Sequence, residues 1–328
     1  MRLEHDGPLP ETIGFLLLPQ FSMMAFFSAV EPLRIANRIA GRQGAGPPLF
    51  DWTLISEDGE PVTASNGMTL LVDASIETLH SLPSLAVCSG FAPERRLSRA
   101  VMRWLHRLDA AGCVLGGVDT GCFLLAEAGL LAGERVTLHW ESLPAFRERY
   151  PMISTSDELF ELGARRFSCA GGTAAMDMAL DVIARRHGSQ LAIDVSEQLV
   201  HERLRARDDQ QRMTLARRLG THKRDLVEAV ALMERHLEQP RPIADIARHC
   251  GVSLRQLQRL FDEELASTPS AWYLALRLDR AWHLLAETDL DILAVALASG
   301  FTSSSSFARA FRRHYGLSPR QSRQRPTA

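Results

Sequence analysis

The chain has 328 residues, 46% of them hydrophobic and 23% charged, with a formal net charge of -2. That balance excludes global disorder and leaves room for two domains, each with its own core. No apolar run reaches the roughly 20 residues that a membrane helix needs, and the N-terminus lacks a charged-then-apolar secretory pattern, so a cytoplasmic protein without membrane contact is expected.

Up to about residue 188, short apolar strands alternate with amphipathic helices, the pattern of a parallel α/β sheet. Strands are expected at Thr12–Leu18, Phe50–Ser56, Leu85–Cys88, Val114–Val118 and Arg166–Cys169. Helices are expected at Met23–Arg38, about 94–110, Gly121–Ala128, Leu143–Tyr150 and Thr173–His187. Asn66 and Gly67 mark a hairpin turn between Val62 and Leu71. The five cysteines are scattered, with no CxxC pair and no histidine cluster. They read as reduced, buried thiols rather than disulfides or a metal site, and no cofactor is expected. Residues 189–222 read as a helical connector that packs on the α/β domain or contributes to a dimer.

From residue 223 to 328 everything reads as helix. Two stretches, 243–261 and 291–311, follow one template: apolar residues at helical spacing, a glycine, a short turn, then a second amphipathic helix. That is a helix-turn-helix, in which the glycine lets the chain turn while both helices share one core. In the first unit Ala247 lies beneath the turn, Gly251 makes the bend, Ser253 caps the recognition helix, and Leu257 and Phe261 face inward. Ser253, Leu254, Arg255, Gln256, Gln258 and Arg259 are left for DNA. Arginine pairs with guanine and glutamine with adenine, so Arg255, Gln256 and Arg259 are the expected base readers. In the second unit Gly300 makes the bend, Phe307 and Phe311 anchor the core, and Ser303, Ser304, Ser305, Ser306 and Arg309 face DNA with less discrimination. Residues 213–328 carry a charge balance of +5 and residues 1–212 one of -7, as expected if only the former meets phosphates.

About the last hundred residues resemble the AraC/XylS family, down to the ending Phe307–Pro319. The resemblance implies that one stiff helix, here Pro269–Glu287, delivers the two units into successive major grooves on one face of double-stranded DNA. It also implies a homodimeric transcription factor, an activator acting with RNA polymerase.

The first half resembles the PfpI and class I glutamine-amidotransferase superfamily, in the branch fused to AraC-type domains, and this implies a flavodoxin-like sheet. The resemblance rests on GGVDTG at 116–121, HWE at 139–141 and SCAGGTAAMD at 168–177. In enzymes of that superfamily a strand-to-helix elbow holds a cysteine, with a histidine and an early glutamate close by. Here the elbow residue is Asp119, the histidine matches His139, and the early acid would be Glu31. A carboxylate cannot do thiolate chemistry, so the expectation is a retained cavity with no catalytic residue, not an enzyme. Cys122 is expected in the core, and Cys88 and Cys169 either in the core or beside the cavity.

Asp119 and Glu31 supply negative charge, Trp140 and either Phe21 or Phe91 an aromatic face, and the turn Ala170–Thr173, with Gly171, Gly172 and Thr173, backbone amides at a helix N-terminus. Together they suit a small zwitterion such as a betaine, carnitine or an amino acid. Sequences of this branch with aspartate at the elbow resemble regulators of quaternary-amine catabolism. Trp140 could instead be a core aromatic and Asp119 a helix cap. The alternative function is a residual PfpI-like hydrolase or amidotransferase fused to a DNA-binding module.

Overall fold

Runs of apolar residues buried on both faces build the central sheet of the first unit, which ends at Gln211; the second begins at Arg212. The computed structural model describes residues 9–42, 44, 46–90, 98–202 and 205–324. The boundary falls inside the stretch read as a connector. That stretch is helical over Ser189–Gln198 and Leu215–Leu219. The described residues between those helices carry no helix or strand of their own, which narrows the expectation of a helical connector.

In chain order the strands of the first unit are β1 (Glu11–Leu17), β2 (Phe50–Ser56), β3 (Val62–Thr63), β4 (Thr69–Leu70), β5 (Ala74–Ser75), β6 (Ser84–Cys88), β7 (Val114–Val118), β8 (Arg135–Val136), β9 (Ser154–Thr155), β10 (Phe160–Leu162) and β11 (Arg166–Cys169). Its helices are α1 (Met23–Arg42), α2 (Arg99–Ala110), α3 (Cys122–Glu127), α4 (Leu143–Arg149), α5 (Ala174–His187) and α6 (Ser189–Gln198). The main sheet has the order β10-β11-β7-β6-β1-β2-β5 and is parallel except for β10. The predicted hairpin at Asn66 and Gly67 is present, with β3 and β4 paired antiparallel.

Sheet register decides where a site can form. Leu17, Cys88, Val118 and Cys169 are register partners across β1, β6, β7 and β11. Their row is the carboxyl edge, and open α/β sheets bind ligands beyond such an edge. Asp119 follows Val118 directly. On one face α1 and α5 pack together over Phe15, Phe26, Met178 and Ile183.

The second unit is helical: α7 (Leu215–Leu219), α8 (Arg224–Arg235), α9 (Ile243–His249), α10 (Leu254–Leu265), α11 (Pro269–Glu287), α12 (Ile292–Ala298), α13 (Ser304–Tyr315) and α14 (Pro319–Gln324). Helices α9 and α10 share a core of Ile246, Ala247, Leu257 and Phe261 with α8. Val295, Ala296, Phe307 and Phe311 are likewise buried in α12 and α13. Helix α11 has 19 residues, about 28 Å at 1.5 Å per residue, and packs against elements of both units of the pair.

Candidate ligand cavity and nucleic-acid interface

The strand-to-helix elbow after β7 places Asp119 at φ +64, a left-handed conformation that aspartate tolerates better than bulkier residues. Its backbone is fixed from two sides: its N–H donates to the Cys169 carbonyl at 3.1 Å, and its own carbonyl accepts from the His139 N–H at 3.4 Å. The carboxylate lies flat on Gly171, where an added Cβ would fall 2.5 Å from Asp119 Oδ2. No side chain fits there, which accounts for a glycine that also takes φ +81. The N-cap position of helix α3 is Gly121, two residues after Asp119.

Burial pushes the Asp119 carboxyl up to about 7, the Ser22 hydroxyl holds it down somewhat, and nearby Glu141 raises it further. The neighbouring thiols are pushed up as well, chiefly by burial: Cys88 well above its usual range, Cys122 likewise, and Cys169 to about 12. All three are buried and protonated at neutral pH, the inert condition of a core cysteine.

A cavity of about 280 Å³ opens beside Asp119, with Ser22, His139, Trp140, Gly171, Gly172 and Thr173 on its walls. Trp140 is 37% exposed, tilted against His139 at 5.5 Å, and so belongs to the wall and not to the core. His139 Nδ1 lies 3.8 Å from Glu141 Oε2. A larger depression of about 550 Å³ near Pro19, Glu57 and Glu60 has no aromatic side chain on its walls and excludes the elbow. Of these two, the cavity beside Asp119 is the one that joins the elbow carboxylate to an aromatic face.

Two expected members are elsewhere. Glu31 is the ninth residue of α1, about 12 Å along the axis from its start, and is held by Arg34 at 2.7 Å on the exposed side. Ser22, one residue before that helix, lines the cavity instead and hydrogen-bonds to Asp119. Phe21 is fully buried against Phe26 and is not among the residues that line the cavity. Phe91 lies outside the described residues. Among the cavity residues that the sequence reading did not name are Ser22 and, from the stretch read as a connector, Arg205 and Gln211. Polar side chains in a linker carry no periodic signal, so nothing in the sequence sets them apart.

In the first helix-turn-helix, Leu254, Arg255, Gln258 and Arg259 are exposed on α10, and Arg259 sits 3.6 Å from Glu263. Gln256 is committed differently from expectation. It closes a capping box with Ser253, its Oε1 accepting the Ser253 N–H at 2.8 Å while Ser253 Oγ accepts the Gln256 N–H at 3.2 Å. One lone pair of the acceptor that adenine reading requires is thereby engaged, and the side chain is held against the helix start. In the second, Ser303 caps α13 and Ser306 donates back to the Ser303 carbonyl at 2.9 Å. Ser304, Ser305 and Arg309 remain exposed; Ser303 and Ser306 are half-buried in the cap.

Residues 13–185 match the DJ-1/PfpI family and residues 246–325 a helix-turn-helix domain family. The chain is 50% identical over 315 residues to the HTH-type transcriptional regulator CdhR of Pseudomonas aeruginosa, covering 96% of this chain and 92% of that one. It belongs to the HTH-type transcriptional regulators that join a DJ-1/PfpI domain to an AraC-type helix-turn-helix domain. The regulator GbdR of Pseudomonas aeruginosa (strain UCBPP-PA14) is 42% identical over 96% of this chain and 84% of its own. A crystal structure of an AraC family transcriptional regulator from Pseudomonas putida matches 58% of this regulator and all of that chain, at 32% identity and a TM-score of 0.51. DNA binding through the helical domain follows from membership. Among the described residues no helix of this regulator is long and apolar enough to cross a membrane.

Proposed function

We propose that this regulator senses a small zwitterion (a betaine, carnitine or an amino acid) in the cavity beside Asp119, and as a homodimer activates catabolic genes with RNA polymerase. One observation carries the reading: a carboxylate, not a thiolate, occupies the strained elbow and shares its cavity with an indole face. A carboxylate beside tryptophan suits a quaternary ammonium. A volume of about 280 Å³ is roughly nine times the 30 Å³ share of one liquid water, enough for a small metabolite and too little for a peptide. The hydrolase reading is disfavoured by the three buried, protonated thiols, and thiol-reactive reagents should leave ligand binding unaltered.

A thermal-shift screen of betaines, carnitine and amino acids tests the reading. A cognate ligand at 100 times its Kd stabilises its domain by about 2.7 kcal/mol; a flat screen would sink it. The pH dependence has a definite sign. A cation requires Asp119 ionised, so affinity should rise with pH through about 7 and fall up to tenfold per unit below it. In the empty domain the raised carboxyl favours folding below its usual 3.8, and that contribution is lost as pH climbs through about 7. Ser22, His139, Glu141, Arg205, Cys88 and Cys169 surround the group, so the comparison with Asp119→Asn isolates it. Identical pH profiles for the two proteins would remove Asp119 from the cation's contacts.

A further inference from the structure

The cavity has a second charged wall, drawn from the last residues of the first unit. After α6 the chain lies alongside residues 158–159: Leu159 donates to the Arg207 carbonyl at 2.9 Å, and Glu158 and Gln210 form an antiparallel bridge. Residues 205–211 thus form a strap, and the second unit starts with the next residue.

Arg205 is built into place. Its Nε and Nη2 donate to Oδ2 of the buried Asp177 at 3.0 and 2.5 Å, and its backbone N–H donates to Oδ1 at 3.1 Å. Nη2 also donates to Thr173 Oγ1 at 2.6 Å, and His201 Nε2 lies 3.3 Å from Asp177 Oδ1. Nη1 takes no partner among the described residues, although Arg205 lines the cavity. At the other end of the strap, Gln211 Nε2 donates to Thr137 Oγ1 and to the Leu138 and Glu158 carbonyls at 3.0–3.1 Å. Its Oε1 is buried with no hydrogen-bond partner among the described residues. An orphaned acceptor of this kind asks for a donor from whatever fills the space.

The cavity thus brings a carboxylate and an indole, Asp119 and Trp140, together with a guanidinium that is held by Asp177. We infer that Arg205 takes the carboxylate of the zwitterion while Asp119 and Trp140 take its cationic end, so that the strap registers whether the cavity is filled. This deepens the sensing role proposed above and rests on it. A guanidinium already tied by one edge to a buried carboxylate is oriented before the ligand arrives, so little rotamer freedom is lost on binding. A ligand bridging Arg205 to Asp119 adds contacts between strap and sheet only when the strap is seated. Such differential affinity is what a ligand needs to shift a conformational equilibrium.

The test uses the full chain with carnitine and glycine betaine, each beside its carboxamide, which keeps the cation and removes the negative charge. Wild-type protein should bind at least one acid ten times or more tighter than its amide. That acid, and not its amide, should slow amide exchange across residues 205–211. Arg205→Met should lower affinity for the acid to that for the amide while leaving the amide within twofold. Arg205→Lys should keep part of the preference, and Asp119→Asn should weaken both probes. Equal loss of acid and amide in Arg205→Met, or no loss, overturns the assignment of Arg205 and leaves the sensing role standing. Failure of all four probes to bind wild type overturns the assignment of Arg205, and a flat screen of amino acids beside it overturns the sensing role as well. Should Arg205→Met fail to fold, an undiminished acid preference in Arg205→Lys, or unchanged strap exchange in wild type, overturns it instead.

Discussion

The two helix-turn-helix units share one template and differ at the turn. Gly251 takes φ +71 with open space where a side chain would go, whereas Gly300 takes φ +75 with no such room. A Cβ on Gly300 would fall 2.3 Å from the Leu237 carbonyl oxygen and 2.6 Å from Pro240 Cγ. The first glycine answers to backbone conformation alone, the second to packing as well. Arg277 in the middle of α11 adds to the second turn, donating to the Ser299 and Gly300 carbonyls at 2.9 and 2.7 Å and lying 4.3 Å from the Phe301 ring. One turn earlier, Tyr273 donates to the His236 carbonyl at 2.6 Å, on the side of the first unit. The recognition helices are weighted the other way. Helix α10 exposes Arg255, Gln258 and Arg259, while α13 opens on serines, two of which close its own cap. The unit locked more firmly to the rod offers less base-reading chemistry, which points to one unit that anchors and one that reads.

The largest effect should separate the two glycines. Gly300→Ala combines a left-handed alanine with a backbone clash, a loss of roughly 2–5 kcal/mol in the helical unit. Gly251→Ala incurs only the conformational term, about 1–2 kcal/mol. Hydrogen exchange in α9 to α13 of the full chain measures both, and equal losses would break the contrast. Next comes Arg277→Leu, which leaves two carbonyls without their charged donor. About 2–3 kcal/mol should be lost, confined to peptides of α12 and α13. A loss spread evenly over α9 and α10 would show that Arg277 braces the whole rod rather than the second turn.

The parts of this molecule written in local pattern were legible before any coordinates. Phe50–Ser56, Val114–Val118, Arg166–Cys169 and the rod Pro269–Glu287 all have the predicted bounds, because periodicity and flanking turn residues are properties of neighbouring positions. The antiparallel edge strand Phe160–Leu162 was missed, since three residues are too few to show a period. In the cavity, Asp119, His139 and Trp140 were readable from a short motif. Glu31 was misplaced because helical rise carries it away from the elbow, a distance that sequence proximity conceals. Arg205 and Gln211 reach the site through contacts 28 to 74 residues apart in the chain, and no single-sequence signal reports those. Gln256 shows the converse limit: its side chain lies on the exposed face as expected, and its Oε1 also closes a capping box that the sequence reading did not foresee.

The remaining effects concern DNA, and they test the division between reading and anchoring most directly. Arg255→Ala should weaken specific binding by about 1–3 kcal/mol and relax preference at one or two base pairs, because a bidentate contact to guanine has no substitute there. Gln256→Ala should alter the fraying of α10 more than base preference, since its side chain serves the cap. In the other unit, Ser305→Ala should shift no single position, and Arg309→Ala should weaken all duplexes alike, lowering the slope of log affinity against log salt by about 1. Binding to a library of randomised duplexes at several salt concentrations separates these outcomes. A base preference that vanishes with Arg309 and survives loss of Arg255 would exchange the two roles, because uniform weakening is the signature of a phosphate contact and positional relaxation that of a base contact.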